Sequence, residues 1–573
     1  MFSKVSIYLS IIIAVATGCG EAARNSSDGE GGRMYGGVLK ISETEHYQTI
    51  YPYSVTDAVS ALISNQIYEG LVRFDMFDLT IRPNLSMNWE ADHSGTVYTF
   101  HLKKGVKFQD DPCFPEGKGR EVKAKDFKYS FELLCTHKTN NYNFHFTFKN
   151  LIKGAAEYYE ASANGKPSFD MEGIKVIDDY TLQLTLSKPS ASFMYVLASP
   201  AAVVVPKEAV EKYGDKLYVG TGPFIFTSSS DSTRVILKKN PNYHRTDSLG
   251  NRLPFLDSIV INFMSTKRME LDAIENGEVD VVNGLPSEEV REIVEKQIVE
   301  LQKPHAKYVL ERTPEMASNY YEFNLTKKPF NDIKVRQAFC YAIDKNKIIE
   351  QVLKGEAYAP GIYGISPPAF KGYDIYKITG YDYNPNKARK LLAEAGYADG
   401  KGFPSITMEV NSGGLKNTNV AVVVQKQLYD GLGIKVDIEV VPLAKKLDDE
   451  KYARPELTRA GWLADYPSPE SFLWMFYGIP VPKTTADPSY PNTTRYQNPE
   501  FDKLFETGRW APTKEDSYRA FSKAEQLMMN DAPIIVMWYD ENYRLIQSKV
   551  KNFPANPIRY RNCAEVYLNN TIK

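Results

Sequence analysis

NPNKARKLLAEAG, residues 384–396, carries a helix start, an apolar stripe and a helix stop in one short run. Asn384 offers a side-chain oxygen to the first free N–H groups, Pro385 fits the first turn, and Gly396 ends the segment. Ala388, Leu391, Leu392 and Ala395 fall at i, i+3, i+4 and i+7, which puts them on one face. Working outward, the period changes. In IKVDIEV (434–440), Lys435, Asp437 and Glu439 alternate with apolar residues, as in a half-buried strand. Val97–Leu102 does the same with Tyr98, Phe100 and Leu102 against Thr99 and His101, and Thr181–Leu186 with Leu182, Leu184 and Leu186. Upstream, Arg336–Ile343 predicts another helix, and Asp344 caps a third that ends near Gly355. Helix and strand periods interleave along the chain, so the class is mixed α/β. At 573 residues the chain exceeds what one core organises, and two or three lobes are expected. No internal repeat of solenoid length is present.

Composition narrows the function classes. The 69 basic and 71 acidic side chains nearly cancel, to a net charge of −2, and leave no basic footprint for nucleic acid. Tyrosine is abundant, at 38 residues. It joins an apolar face to a polar tip, which suits a binding cleft as well as sheet-edge packing. There is no GxxxxGK[ST] loop, no GxSxG elbow and no HExxH, and none of the seven histidines sits in a recognisable catalytic spacing. The balance favours binding over catalysis, with no cofactor and no metal. The apolar stretch 191–205 is short and broken by Pro200, so it does not read as a membrane span.

Several runs together resemble the peptide-binding class of ABC-importer solute receptors, the oligopeptide- and dipeptide-binding proteins. They begin with IYEGLVRFD (67–75), RPNLSMNWEAD (82–92), YTFHLKKGVKF (98–108) and EVKAKDFKYSFE (121–132). YTLQLTLSKPSASF (180–193), VPKEAVEKYG (205–214), GTGPFIF (220–226) and GEVDVV (277–282) follow. PFNDIKVRQAFCYAIDKNKI (329–348) is the most diagnostic, and NPNKARKLLAEAGYADG (384–400), GLGIKVDIEVV (431–441) and AGWLADYPSPESF (460–472) complete the series. Order and coverage, from about residue 38 to the C-terminus, match the family.

The resemblance implies a two-lobed, hinged, periplasmic-binding-protein-like fold with an extra subdomain on the first lobe. Residues 38–67, 190–316 and 540–573 would form lobe I, 68–189 the extra subdomain, and 317–539 lobe II. By the same resemblance, Asp465 would pair with the α-amino group of a peptide. An ammonium buried by lobe closure needs a compensating charge. Arg459 matches an arginine that meets the ligand's carboxylate in some relatives, and its donor fork suits that anion. Trp462 and Tyr466 would supply apolar walls, and Tyr320 and Tyr321 the opposite wall. Thr56, Asp57 and Ala58 would present backbone to the peptide main chain. Asn417 stands where one well-studied type has a carboxylate-contacting histidine, and Leu463 where that type has a disulfide cysteine. Both departures bear on how the far end of a ligand is held. Arg336 and Asp344 read as structural.

The N-terminus has Lys4, then the apolar run Val5–Ala16, then Ala16-Thr17-Gly18-Cys19. This resembles a lipoprotein signal (1–19) with Cys19 as the lipidated residue, although Ala16 stands where Leu is preferred. Residues 20–37, GEAARNSSDGEGGRMYGG, read as a flexible tether. Cys113, Cys135, Cys340 and Cys563 remain, allowing three pairings, with Cys113–Cys135 nearest in sequence. The expected partners are a peptide, the permease subunits of an ABC transporter and, through the anchor, the outer side of the cell membrane; the chain is expected to be a monomer. Rival readings are a receptor for nickel chelates, opines or oligosaccharides, an exported hydrolase on the same fold, and a sensory receptor.

Overall fold

The computed structural model describes residues 28–569 apart from 139, 146, 228–232, 286–292, 294, 296–305 and 413–414. Its frame is a sheet of eleven strands, two halves joined by a pair of long strands. In one half, Val38–Glu43 runs parallel to Ser258–Phe263 and Val281–Asn283, with Arg234–Lys239 and Phe224–Thr227 outside them. In the other, Ile406–Asn411 runs parallel to Val436–Val441 and Leu457–Leu463. Tyr308–Phe323 and Ile534–Gln547 pair antiparallel with each other and pass through both halves. The end of Ile534–Gln547 pairs with Val281–Asn283 in the first half, and the end of Tyr308–Phe323 pairs with Leu457–Leu463 in the second. The ladder breaks register between Pro314 and Ser318, where the pair leaves one half for the other. A break there lets the ribbon bend without disturbing either core.

A second sheet stands apart, ordered Ser86–Ala91, Val97–Leu102, Thr181–Thr185, Ile174–Asp178. Phe100, Leu182 and Leu184 alternate onto its buried face, where Phe127 and Phe131 of helix Ala124–Leu134 complete the core. Tyr98 meets Phe193 on the neighbouring segment.

The local signals translate directly. Helix Pro385–Glu394 starts with Asn384 accepting from Lys387 N, and buries Ala388 and Leu392. Asp332 caps Ile333–Ala342, and Asp344 caps Lys345–Gln351. Arg336 donates to the carbonyls of Phe330, Asp531 and Ala532, so it closes the C-terminal end of helix Lys514–Asp531. No described helix is long and apolar enough to cross a membrane.

Two expectations fail. All four described cysteines are free thiols, so the Cys113–Cys135 pairing does not form. Cys135 ends helix Ala124–Leu134 deep in the apolar core, while Cys113 sits in a turn fixed by its N–H on Asp111 Oδ1 at 2.7 Å. Nearness in sequence did not bring the two sulfurs together. The second concerns the tether. Residues 28–37 pack on the body: Arg33 pairs with Asp247, Glu30 N donates to Asn251 Oδ1 at 2.7 Å, and Tyr35 lies against Phe255. A Gly/Ser-rich composition marks backbone freedom, and here fixed polar partners use that freedom to dock the strand. Residues 20–27, and Cys19 with them, lie outside the described residues.

Candidate functional site

Strand Leu457–Leu463 is flanked on both edges, by Ile406–Asn411 and by Tyr308–Phe323. Its alternation therefore fixes which side chains leave the sheet on which face. Asp465 follows at its end, after Ala464 N has made one more bond to Met316 O at 2.8 Å. Ser471, at the start of a short helix, holds the aspartate in place. Its hydroxyl donates to Asp465 Oδ2 at 3.1 Å and receives Asp465 N at 3.0 Å and Trp462 Nε1 at 3.4 Å. Asp465 is exposed, yet its carboxyl is pushed up to about 6 by desolvation, against which the Ser471 bond is the smaller effect. Solvent reaches the carboxylate, yet enough protein surrounds it to disfavour its charged form. No Lys, Arg or His forms an ion pair with it among the described residues. Such a carboxylate is set to receive a cation.

Arg459 lies on the same strand, opposite Tyr321 in register. Its fork meets only amide oxygens: Nη2 donates to Asn319 Oδ1 and Nη1 to Asn411 Oδ1 at 3.5 Å, while Nε is buried without a partner. Gly461 between them leaves room for this contact, because a Cβ there would stand 3.3 Å from Asn319 Oδ1 and 3.5 Å from Arg459 Nη2. Asn319 also donates to Asp540 Oδ2 at 2.7 Å, and Trp538 Nε1 to Asp540 Oδ1 at 2.7 Å. Arg459 forms no ion pair among the described residues, although its charge reaches the buried carboxyl of Glu450 and holds it down against desolvation.

The other candidates divide. Tyr466 is half-buried and stacks on Tyr195, at 6.4 Å between rings and 17° between planes. Tyr320 and Tyr321 are core residues, 3% and 1% exposed, with the Tyr320 hydroxyl on Met475 Sδ at 3.2 Å. The central strand is covered on both faces there, so neither tyrosine reaches an open wall. Asp57 caps helix Ala58–Ile67 through Ser60 N, and leaves Thr56 and Ala58 exposed at the helix start. Asn143 pins the preceding turn through the carbonyls of Pro52 and Val55. Asn417 lies half-buried in the first turn of Leu415–Leu432; the amide that meets Arg459 is Asn411 instead.

Asn319, Asn411, Asp540, Tyr490 and Ser471 were not singled out from the sequence. Tyr490 is half exposed, and its hydroxyl is pushed up chiefly by desolvation, with the charges of Asp465, Glu450 and Glu322 adding to it. Only Ser471 carried a usable signal, its place six residues after Asp465 in the same motif.

Comparison with known proteins agrees with this architecture. The model of the bacterial extracellular solute-binding proteins, family 5, matches residues 80–480. The periplasmic oligopeptide-binding protein OppA of Escherichia coli K12 is 28% identical over 516 residues, 88% of each chain. The oligopeptide-binding protein OppA of Bacillus subtilis 168 is 27% identical over 554 residues, 94% of each chain. Among solved structures, the periplasmic binding protein DppA of Helicobacter pylori, in complex with the peptide STSA, superposes with a TM-score of 0.77. It is 27% identical and covers 94% of this chain and 98% of its own. Matched along most of its length, and built as two halves on a bending ribbon, the chain belongs to the family 5 extracellular solute-binding proteins.

Proposed function

We propose that the protein captures peptides between its two lobes and delivers them to the permease of an ABC transporter. The observation that carries this reading is Asp465, an exposed but partly desolvated carboxylate with no ion-pair partner among the described residues, to which an α-amino group would supply the missing charge. Arg459, held by two amide oxygens and lacking a carboxylate, would take an anionic group of the same ligand. Thr56 to Ala58 would offer main chain to main chain, which binds peptides without demanding a sequence. Relatives named for oligopeptide and dipeptide binding support the ligand class. Binding and closure involve no bond making, and the working cycle is capture, closure and hand-over. Cys19 would carry lipid and keep the protein at the outer face of the membrane, as a monomer. A library of short peptides, titrated while the melting temperature is followed, tests the reading. A binder should raise Tm progressively as its free concentration passes Kd, by mass action. No shift with any peptide at millimolar concentration would refute it.

A further inference from the structure

Residues 28–37 close on themselves, with Asp28 bridged to Met34 and Gly29 N donating to Arg33 O at 2.7 Å. A turn of the body, 246–252, receives them. It is braced by a bridge between Thr246 and Arg252 and by Asp247 N on Asn251 O at 2.9 Å. Asn251 holds the main chain of Glu30 in both directions, accepting its N–H at 2.7 Å and donating to its carbonyl at 3.1 Å. The buried Asp247 carboxylate accepts from Leu249 N at 2.8 Å and from Asn251 N and Nδ2 at 2.9 and 2.8 Å, and it pairs with Arg33. Opening that pair would strand a buried charge, so the segment is fixed and not merely adjacent. The contact is close enough to need glycine. A Cβ on Gly29 would stand 2.8 Å from Asn251 Oδ1, and one on Gly31, at φ +72°, 2.5 Å from Leu249 Cδ1. Gly36 N on Phe255 O at 2.8 Å and Gly37 N on Asp257 Oδ2 at 3.0 Å carry the attachment on to Val38.

This attachment sits at one end of its half-sheet. Val38 opens its strand opposite Ser258, and Arg234–Lys239 finishes at the same end before the chain enters the 246–252 turn. The other ends of these strands point toward the break in the ribbon. Val281–Asn283 runs parallel to Val38–Glu43 and pairs Asn283 with Arg544, three residues from Glu541, the partner of Pro314. Asp465 lies beyond that break, following the strand whose Leu463 pairs with Ala317.

Chain length then sets a limit. The nine residue steps from Cys19 to Asp28 span at most about 30 Å fully extended, and the nineteen from Cys19 to Val38 about 65 Å. A folded chain of this size has a radius of gyration of roughly 25 Å, which makes a body about 60 Å across. The longer tether could pass round such a body, and the shorter one cannot. We propose that residues 28–37 are a strap that turns one face of the protein to the lipid surface. That face carries the 246–252 turn, with Leu249 and Arg252 exposed on it, and the break beside Asp465 is turned away from the headgroups. The inference rests on the reading of Cys19 as the lipidated residue.

The test uses the full-length lipidated protein in phosphatidylcholine–phosphatidylglycerol vesicles that contain a headgroup spin-labelled lipid. A fluorescent amino acid at Ser248, exposed in the turn, should be quenched severalfold more than one at Lys390, exposed on helix Pro385–Glu394 of the other half. Inserting about ten Gly/Ser residues between Ser27 and Asp28 lengthens the tether without touching the strap, and should bring the two signals close to equal. Arg33→Ala with Asn251→Ala should do the same by undocking the strap, with peptide Kd within about twofold of the parent, as for a distant site. Equal quenching of the two probes in the parent, or a difference that the insertion leaves unchanged, would overturn the proposal. Failure of the anchor reading is separate, since the parent would then not cosediment with the vesicles.

Discussion

Asp465 is costly where it stands. Its carboxyl titrates at about 6 instead of 3.8, because desolvation outweighs the hydrogen bond from Ser471. With the folded value above the unfolded one, the native state holds a proton that the unfolded chain has already released between pH 4 and 6. The residue's favourable share of stability is therefore complete below about pH 4 and is lost as pH rises through 6. Asn at this position does not titrate. The Asp465→Asn variant should melt with the ligand-free parent near pH 4 and above it at pH 7.5; a difference independent of pH would contradict the assignment. Peptide binding has the opposite dependence. An ammonium pairs with the ionised carboxylate, so affinity should fall below pH 6, approaching about tenfold per unit, in calorimetry across pH. The sequence disclosed Asp465 through its motif, but not its neighbours. Asn319 stands 140 positions from Arg459, which it holds, and Asp540 stands 221 from Asn319, in stretches with no local peculiarity. Only the pairing of Tyr308–Phe323 with both Leu457–Leu463 and Ile534–Gln547 assembles them.

Elements were the most legible level, because caps and periods are local. Asn384, Asp332 and Asp344 act as caps, and the alternation of Val97–Leu102 orients Phe100 and Leu102 into the core. Tyr320 and Tyr321 were not legible in this way. A strand covered on both faces has no alternation to reveal which side is open, and both tyrosines went to the core. Arg336 illustrates a structural residue with an element-scale duty. Its guanidinium satisfies the last carbonyls of Lys514–Asp531, whose own helix cannot. Arg336→Ala leaves those carbonyls buried without a donor, and should lower stability by about 2–4 kcal/mol in urea unfolding, with peptide Kd little changed in the folded fraction. A loss below about 0.5 kcal/mol would mean that water replaces the side chain at no cost.

At the scale of the whole molecule, two half-sheets on a ribbon with a broken register make a body that can close, and strand Leu457–Leu463, paired to the ribbon's second section, carries Arg459 and leads to Asp465. The mixed class was visible in the sequence from interleaved periods, length pointed to two or three lobes, and the two-lobed plan came from the family resemblance. The packing of residues 28–37 against Asp247 and Asn251 was not, since composition reports the freedom of a segment and not the partners waiting for it. If Cys19 carries the anchor, Cys19→Ala should move the protein to the soluble fraction, because the acyl chains supply most of its membrane affinity. Retention on membranes after a high-salt wash would remove the anchor from the account. The most direct test of the central claim is a calorimetric cycle of four titrations, with a free or N-acetylated peptide against the parent or Asp465→Asn. The account predicts that acetylation costs the parent about 2–5 kcal/mol, as for one member of a buried charge pair, and costs the variant much less. Equal losses on acetylation in both proteins would place Asp465 outside the ligand site and contradict it.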